Sequence, residues 1–235
     1  MICGNVSRSK TDSRGSELPR LMLVTNRRRT RGRELVPLVA QAVEGGVGVV
    51  QIREPDLPDD ALCELAGRIR EVVPPSTIIV INGSLRAART LDTGLHLPAA
   101  APPLGDDERH AFPIYGRSVH DDREARVAID DRASYVIVGT IYPTDSKPGH
   151  PGAGSRRITE IRRLVAPLPI YSIGGVTVTQ IPELVHAGAH GVAVCGALLG
   201  TNHPRRVAQA MHLALEVAVL AEGAGPLRAP RAKSS

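Results

Sequence analysis

Lys147 is the only lysine between Lys10 and Lys233, in a chain otherwise rich in arginine. It lies in a loop with glycine and proline near both ends, from Gly139 to Gly149. Lysine presents a compact positive charge with rotatable donors, which suits a phosphate or a carboxylate, whereas arginine presents a rigid planar fork. We therefore predict that Lys147 binds an anionic group, the alternative being a solvent-exposed lysine without a role.

Glycines follow two neighbouring apolar runs that read as strands. Gly174 and Gly175 come after residues 169–173, and Gly196 comes after residues 191–194, ahead of a short helical segment. At the carboxyl ends of barrel strands, exposed backbone N–H groups form the usual phosphate site. We therefore predict that these three glycines bind phosphate, with a simple tight turn as the alternative for Gly174 and Gly175.

Polar side chains follow the other apolar runs. His120 is the candidate acid or base, with an ordinary loop histidine as the alternative. His96 lies inside an apolar strand, which favours a hydrogen-bonded core residue. Further candidates for contact with a substrate are polar residues placed where strands end, namely Gln51, Arg53, Asn82, Ser118, Thr140, Thr144 and Ser146.

The elements that must position these residues alternate between short apolar runs and longer amphipathic segments. The runs predict strands near 21–25, 47–52, 77–81, 94–97, 114–118, 135–138, 169–173 and 191–194. Helices are predicted at 33–44, 59–73, 122–130, 158–165 and 179–187, with a short one at 106–110, a last one from Pro204, and Asp59 as a helix cap. Strict alternation indicates a parallel sheet covered on both faces. Eight such units predict an α/β fold, a single-domain (β/α)8 TIM barrel, with an open doubly wound sheet as the alternative.

Composition limits the class of protein. The chain has 235 residues, 42% of them hydrophobic and 2% aromatic, with a net charge of +5. This length fits one barrel domain, predicted at 20–220, between disordered tails at 1–19 and 221–235. Few aromatic residues and scattered arginines, such as Arg27 to Arg29 in a solvated loop, argue against nucleic-acid binding.

Three distant cysteines and the lack of a long apolar run predict a cytoplasmic protein without a disulfide framework, a signal peptide or a membrane span. The three are Cys3, Cys63 and Cys195.

Taken in order, the motifs at the strand ends resemble the thiamine phosphate synthase/TenI superfamily, from about Leu21 to Val217. The resemblance implies a TIM barrel, a small-molecule thiazole phosphate as ligand and a possible homo-oligomer. The motifs are Gln51-Ile-Arg53-Glu54, Asn82, Gly116-Arg-Ser118-Val-His120, Tyr142-Pro-Thr-Asp-Ser-Lys147-Pro-Gly149, Ser172-Ile-Gly-Gly-Val176 and Gly191-Val-Ala-Val194.

The resemblance separates two branches. It implies that a thiamine phosphate synthase holds Mg²⁺ through an aspartate directly after the strand-three asparagine and another in the loop after strand four. Those positions here are Gly83 and Ala101, and a basic residue expected two positions beyond Arg53 is Pro55. Mg²⁺ prefers carboxylate oxygens. These departures favour the TenI-like branch, with no metal and no cofactor.

The TenI-like branch includes thiazole tautomerases, which move a proton to aromatise a carboxythiazole phosphate. By this resemblance Lys147 and Arg53 hold the substrate carboxylate, and Ser118 and Thr144 orient it.

In those tautomerases a histidine acts as acid or base directly after the strand-six glycine, where this chain has Thr140, whose hydroxyl does not titrate near neutral pH. His120 is then the candidate to replace it. Three hypotheses remain. The preferred one is a metal-free tautomerase. The alternatives are a divergent synthase that uses Mg²⁺ and a non-catalytic protein that binds thiazole phosphate or thiamine phosphate.

Overall fold

Eight parallel strands close into a barrel in the order β1 to β8, and β1 pairs with β8. The computed structural model describes residues 18–146, 148–149 and 151–223. The prediction of a single (β/α)8 TIM barrel is confirmed. The strands are β1 Leu21–Val24, β2 Val49–Ile52, β3 Ile78–Asn82, β4 Gly94–Leu97, β5 Tyr115–Val119, β6 Tyr135–Gly139, β7 Ile170–Ile173 and β8 Gly191–Val194.

Helices surround the barrel and connect successive strands. They are α1 Leu35–Glu44, α2 Asp59–Val72, α3 Leu85–Thr90, α4 Asp106–Arg109, α5 Asp122–Asp130, α6 Arg156–Val165, α7 Ile181–His186, α8 Gly196–Leu199 and α9 Pro204–Gly223. The prediction that Asp59 caps α2 is wrong, because Pro58 is the cap residue and Asp59 is already helical. The Asp59 carboxylate instead accepts a hydrogen bond from the Ser84 hydroxyl at 2.6 Å, which ties α2 to the start of α3.

The strands bury side chains on both faces, as their continuous apolar runs require. A small cluster fills the inside of the barrel, including Met22, Val80, Tyr135 and Tyr171, and a larger cluster lies between strands and helices. Gly116 makes room for one of these rings, since a Cβ there would lie 2.1 Å from a ring atom of Tyr135. A phenol ring therefore reaches the polar end of the barrel interior.

Arg117 points outward from β5 and is 1% exposed. Its guanidinium pairs with the buried Asp131 carboxylate at 2.6 Å and with the Tyr115 hydroxyl at 2.8 Å. It also donates to the carbonyls of Ala99, Ala101 and Pro102. We call this group the Arg117 clamp. It fixes the loop between β4 and α4, which begins at the barrel mouth, the end of the barrel where the carboxyl ends of the strands lie.

The described part of the chain begins at Leu18 and ends in α9 at Gly223. The Pro19 carbonyl accepts a hydrogen bond from the Tyr171 hydroxyl at the amino-terminal end of the barrel. None of the described helices has the length and apolar character needed to cross a lipid bilayer. The predicted tails, the cytoplasmic location and a homo-oligomer stay predictions, and residues 1–17 and 224–235 lie outside the described residues.

Candidate active site at the barrel mouth

Gln51 and Asn82 meet at the carboxyl ends of β2 and β3. The Asn82 amide donates to Oε1 of Gln51 at 3.3 Å, and Gln51 is 2% exposed. Gln51 points into the barrel, because it alternates with Val50 and Ile52 of the outer core. Both amides therefore belong to the polar layer that closes the top of the interior cluster.

Arg53 stands directly beyond the end of β2. Its backbone N–H donates to the Thr25 hydroxyl at 3.0 Å, and its side chain is exposed. Its charge helps to lower the pKa of His96, after burial and Arg117, and opposes the rise in the pKa of Cys195 that burial causes. The charge of Arg53 therefore acts on groups at both β4 and the end of β8.

Arg29 is not among the site residues that the sequence predicts. It lies in the 3₁₀ turn Arg27–Arg29 after β1, and its charge also acts on the Cys195 thiol. Arg27 and Arg28 are exposed, as expected of a solvated loop, and Arg27 also pairs with the buried Glu54 carboxylate at 3.3 Å. The position of Arg29 in the sequence could have indicated a site residue, since its turn directly follows the carboxyl end of a strand.

His96 lies on β4 inside the barrel and is 1% exposed. Its Nε2 is 2.9 Å from the Ser118 hydroxyl, and its Nδ1 is 3.2 Å from the Tyr135 hydroxyl. Burial, with smaller contributions from Arg117 and Arg53, lowers the pKa of His96 to about 3. His96 is thus a neutral, hydrogen-bonded core residue, as the sequence predicts.

His120 follows β5 and is turned toward α5. Its Nδ1 is 2.9 Å from a carboxylate oxygen of Glu124, and its side chain is 47% exposed. Among the described residues, no hydrogen bond joins His120 to another predicted site residue. Its role as acid or base stays a prediction.

The loop after β6 packs directly on the glycines after β7. The N–H of Tyr142 donates to the Gly174 carbonyl at 3.0 Å. Gly174 has φ of +102°, and a Cβ there would lie 2.6 Å from Cγ2 of Thr140. Gly175 has φ of +65°, and a Cβ there would lie 2.4 Å from the Pro143 carbonyl oxygen. Both positions therefore need glycine, for backbone conformation and for space.

The backbone N–H groups of Gly174 and Gly175 take part in none of the turn, loop or cap hydrogen bonds found among the described residues. Gly196 starts α8, and a Cβ there would meet open space. A cavity of about 480 Å³ adjoins Gly196 and is also lined by Arg31 and Thr201. Donors for an anion are thus present at β7 and at β8.

The rest of the β6 loop holds the remaining predicted residues. The Thr144 hydroxyl accepts a hydrogen bond from the Ser146 N–H at 3.3 Å. Thr140 is buried beneath the loop and contacts the glycine turn. Lys147 lies outside the described residues, so its contact with an anion stays a prediction.

Gly83 and Ala101 stand where the family resemblance places magnesium ligands. Gly83 has φ of +85° and offers no side chain, and the Ala101 carbonyl accepts a hydrogen bond from Arg117. Within the described ranges, no group of three or more His, Cys, Asp or Glu side chains is placed to hold a metal. These residues do not fit a carboxylate-bound Mg²⁺ site.

A larger cavity of about 1250 Å³ lies at the opposite end of the barrel. It is lined by residues at the amino ends of strands, among them Ile78, Gly94 and Ile114. In this fold chemistry is assembled at the carboxyl ends. We therefore place the candidate site at the mouth, although the larger cavity is at the floor.

Comparison with known proteins gives one consistent result. A family model described as thiamine monophosphate synthase matches residues 21–198. The thiamine-phosphate synthase of Roseiflexus castenholzii is 34% identical over 194 residues, covering 80% of this chain and 85% of that protein. That of Haloarcula marismortui is 34% identical over 207 residues, covering 83% and 95%. The structure named thiamine phosphate pyrophosphorylase from Pyrococcus furiosus superposes with a TM-score of 0.75 at 24% identity, covering 86% of this chain and 98% of that one.

Proposed function

The chain belongs to the thiamine monophosphate synthase family, and on that basis we propose that it is a thiamine-phosphate synthase. In this reaction a pyrimidine diphosphate reacts with a thiazole phosphate. The carbon–oxygen bond to the diphosphate breaks, the thiazole nitrogen bonds to that carbon, and pyrophosphate leaves with the electron pair. The relatives that carry this name support the proposal, which replaces the tautomerase as the first hypothesis.

The proposal is supported by two groups of donors at the mouth whose chemistry suits anions. One region is the glycine backbone after β7 and β8, which suits a thiazole phosphate. The other is cationic, with Arg53 and Arg29 on the side of β1 and β2, and it suits a diphosphate. Arg53 belongs to the cationic region, and its charge also acts on Cys195, the residue before Gly196.

We propose that arginine charge provides most of the stabilisation of the leaving pyrophosphate. Developing negative charge is stabilised by fixed cations and donors that are already in place. No step is assigned to a metal held by the protein, because Gly83 and Ala101 supply no carboxylate. Lys147 is proposed to join Arg53 at the diphosphate.

The test is to incubate the purified protein with both substrates, with and without Mg²⁺, and to measure thiamine phosphate and pyrophosphate together. We expect both products to form in equal amounts, and Arg53→Met to reduce kcat/KM by at least tenfold. Arg156→Met is the matched control, because Arg156 lies on α6 with a side chain that is 89% exposed. No product at saturating Mg²⁺ would refute the synthase.

A metal-free thiazole tautomerase is the second candidate, and the missing carboxylates at Gly83 and Ala101 favour it. It would use the same glycine phosphate site, with His120 as acid or base and Lys147 on the substrate carboxylate. Aromatisation of a carboxythiazole phosphate tautomer above the uncatalysed rate, lost in His120→Ala, would support it. Binding of thiazole phosphate without either reaction would instead indicate a non-catalytic protein.

A further inference from the structure

Arg33 joins two segments of the mouth, one that follows the first strand of the barrel and one that follows the last. Its Nη1 and Nη2 donate to the carbonyls of Thr201 and Leu199 at 2.6 and 2.7 Å, just beyond and at the end of α8. Its Nε donates to the Thr30 carbonyl at 2.9 Å, in the turn after β1. A single half-buried guanidinium therefore bonds to both segments.

The helix α8 depends on contacts from outside itself. It has only four residues, Gly196–Leu199. A single helical turn is unstable alone, and the carbonyls at its end have no partner within the helix. Arg33 provides a donor to the last of these carbonyls. The two segments also approach each other directly, since a Cβ at Gly200 would lie 3.9 Å from the Arg29 carbonyl oxygen.

The backbone that leads from the turn to Arg33 has an uncommon shape. Arg31 and Gly32 are both left-handed, with φ of +56° and +78°. A residue other than glycine in this region persists where the surrounding structure holds it. The chain reverses here, so that the backbone N–H of Arg33 donates to the Thr30 carbonyl at 3.2 Å, in addition to the side-chain bond. Arg33 is thus fixed at its backbone and at its side chain.

We propose that Arg33 is a positioning residue that sets the distance between the two anion-binding regions at the mouth. The turn after β1 carries Arg29, on the side of the diphosphate, and α8 begins at Gly196, on the side of the thiazole phosphate. When two bound reactants must meet, a misplacement of about 1 Å can cost roughly 10²-fold in rate. Arg33 acts through the two segments and not by contact with a substrate. The inference rests on the proposed function for the identity of the substrates.

The kinetic test compares Arg33→Met with the wild type in the synthase assay, with each substrate varied in turn. We expect kcat to fall by about 10- to 100-fold, while the KM of each substrate stays near its wild-type value, because each region keeps its own donors. Calorimetric titration with thiazole phosphate gives the fraction of binding-competent protein, and kcat is divided by that fraction. A wild-type kcat, or a rise in KM that accounts for the whole loss of kcat/KM, would overturn the proposal.

Arg33→Lys separates geometry from charge, and it is the second variant if Arg33→Met folds poorly. Lysine keeps the positive charge but lacks the planar fork that serves several carbonyls at once. We expect it to lose most of the kcat that methionine loses, and full activity in Arg33→Lys would overturn the geometric role. Arg205→Met is the matched control, because it removes the same charge at the start of α9, where the side chain is 66% exposed and pairs with Glu44. It should keep the wild-type kcat and KM.

Amide hydrogen exchange tests the junction without turnover. In Arg33→Met we expect faster exchange in both segments, at the N–H of Gly200 and at the N–H of Thr30, each of which donates to a carbonyl of its own segment. The N–H of Tyr142, in the loop after β6, is the internal control and should exchange as in the wild type. Unchanged exchange at Gly200 and Thr30, or an equal increase at Tyr142, would overturn the proposal.

Failure of this inference and failure of the proposed function give different results. If the wild type is active and Arg33→Met is equally active, only the role of Arg33 fails. If the wild type forms no thiamine phosphate, the proposed function fails, and the spacing of the substrates by Arg33 fails with it. The exchange measurement then still decides whether Arg33 joins the two segments.

Discussion

Replacing Asp131 with asparagine tests the Arg117 clamp. Asp131 has no exposed side-chain surface, and it is the only carboxylate paired with the buried Arg117 in the described part of the chain. Asparagine keeps the size but only one acceptor oxygen, so the negative charge is lost and the amide NH₂ faces either the Leu104 N–H or the Tyr115 and Arg117 donors. Removing one partner of a buried ion pair costs about 3–5 kcal/mol, because the other charge is left uncompensated. For a protein of this length that corresponds to a fall in Tm of roughly 6–20 °C.

The assay is urea unfolding followed by circular dichroism, with a thermal scan in the same buffer. Asp130→Asn is the matched control, because it makes the same change one position earlier at an exposed site at the end of α5. It is expected to change the unfolding free energy by less than about 0.5 kcal/mol. If Asp131→Asn stayed within about 1 kcal/mol of this control, the charge of Asp131 would not stabilise Arg117, and the reasoning would be refuted.

Three further changes have expected outcomes. Gly175→Ala should destabilise the fold by at least about 1–2 kcal/mol, because the backbone at this position is left-handed. It should also weaken the binding of thiazole phosphate. Gly105→Ala is the control and should do neither, since Gly105 has φ of −65° and open space around its Cβ. Gly67→Ala, inside α2 with nothing within 4 Å of its Cβ, should raise the unfolding free energy by about 0.8–1 kcal/mol in urea; an unchanged midpoint would contradict this. Because the folded pKa of His96 lies near 3 against an ordinary value of 6.5, its contribution is fully present above pH 6.5 and is lost as the pH falls toward 3. The stability difference between wild type and His96→Gln should therefore fall with acid at up to about 1.4 kcal/mol per pH unit, and a constant difference would refute the buried neutral state.

The barrel could be predicted from the sequence because its signals are local. Runs such as Ile78 to Ile81 are apolar at every position, and glycines follow α1 and α7 before the next strand, so element order and fold follow together. The glycine turn after β7 follows from the same reasoning, since it depends on backbone at a fixed strand end, and its binding of phosphate stays a prediction. Asp59 was misplaced by one position because a carboxylate suits both the cap and the first helical turn.

What could not be predicted depends on which way a side chain points and on contacts between distant strands. Arg117 and Ser118 are adjacent in sequence, yet Arg117 faces the helices and pairs with Asp131, and Ser118 faces the barrel interior beside His96. His96 and Tyr135 are 39 positions apart and meet only when the barrel closes. Arg29 is one of three consecutive arginines, and only the fold distinguishes the one whose charge reaches Cys195.

The Arg117 clamp holds the loop after β4 through main-chain carbonyls, and three loop residues contribute no side chain to it. The hydrogen bonds of the clamp therefore do not depend on which side chains occupy positions 99, 101 and 102. A substitution there can change the chemistry offered beside the mouth while the acceptors of Arg117 stay in place. A carboxylate could be lost from position 101, or restored to it, on a scaffold that stays the same.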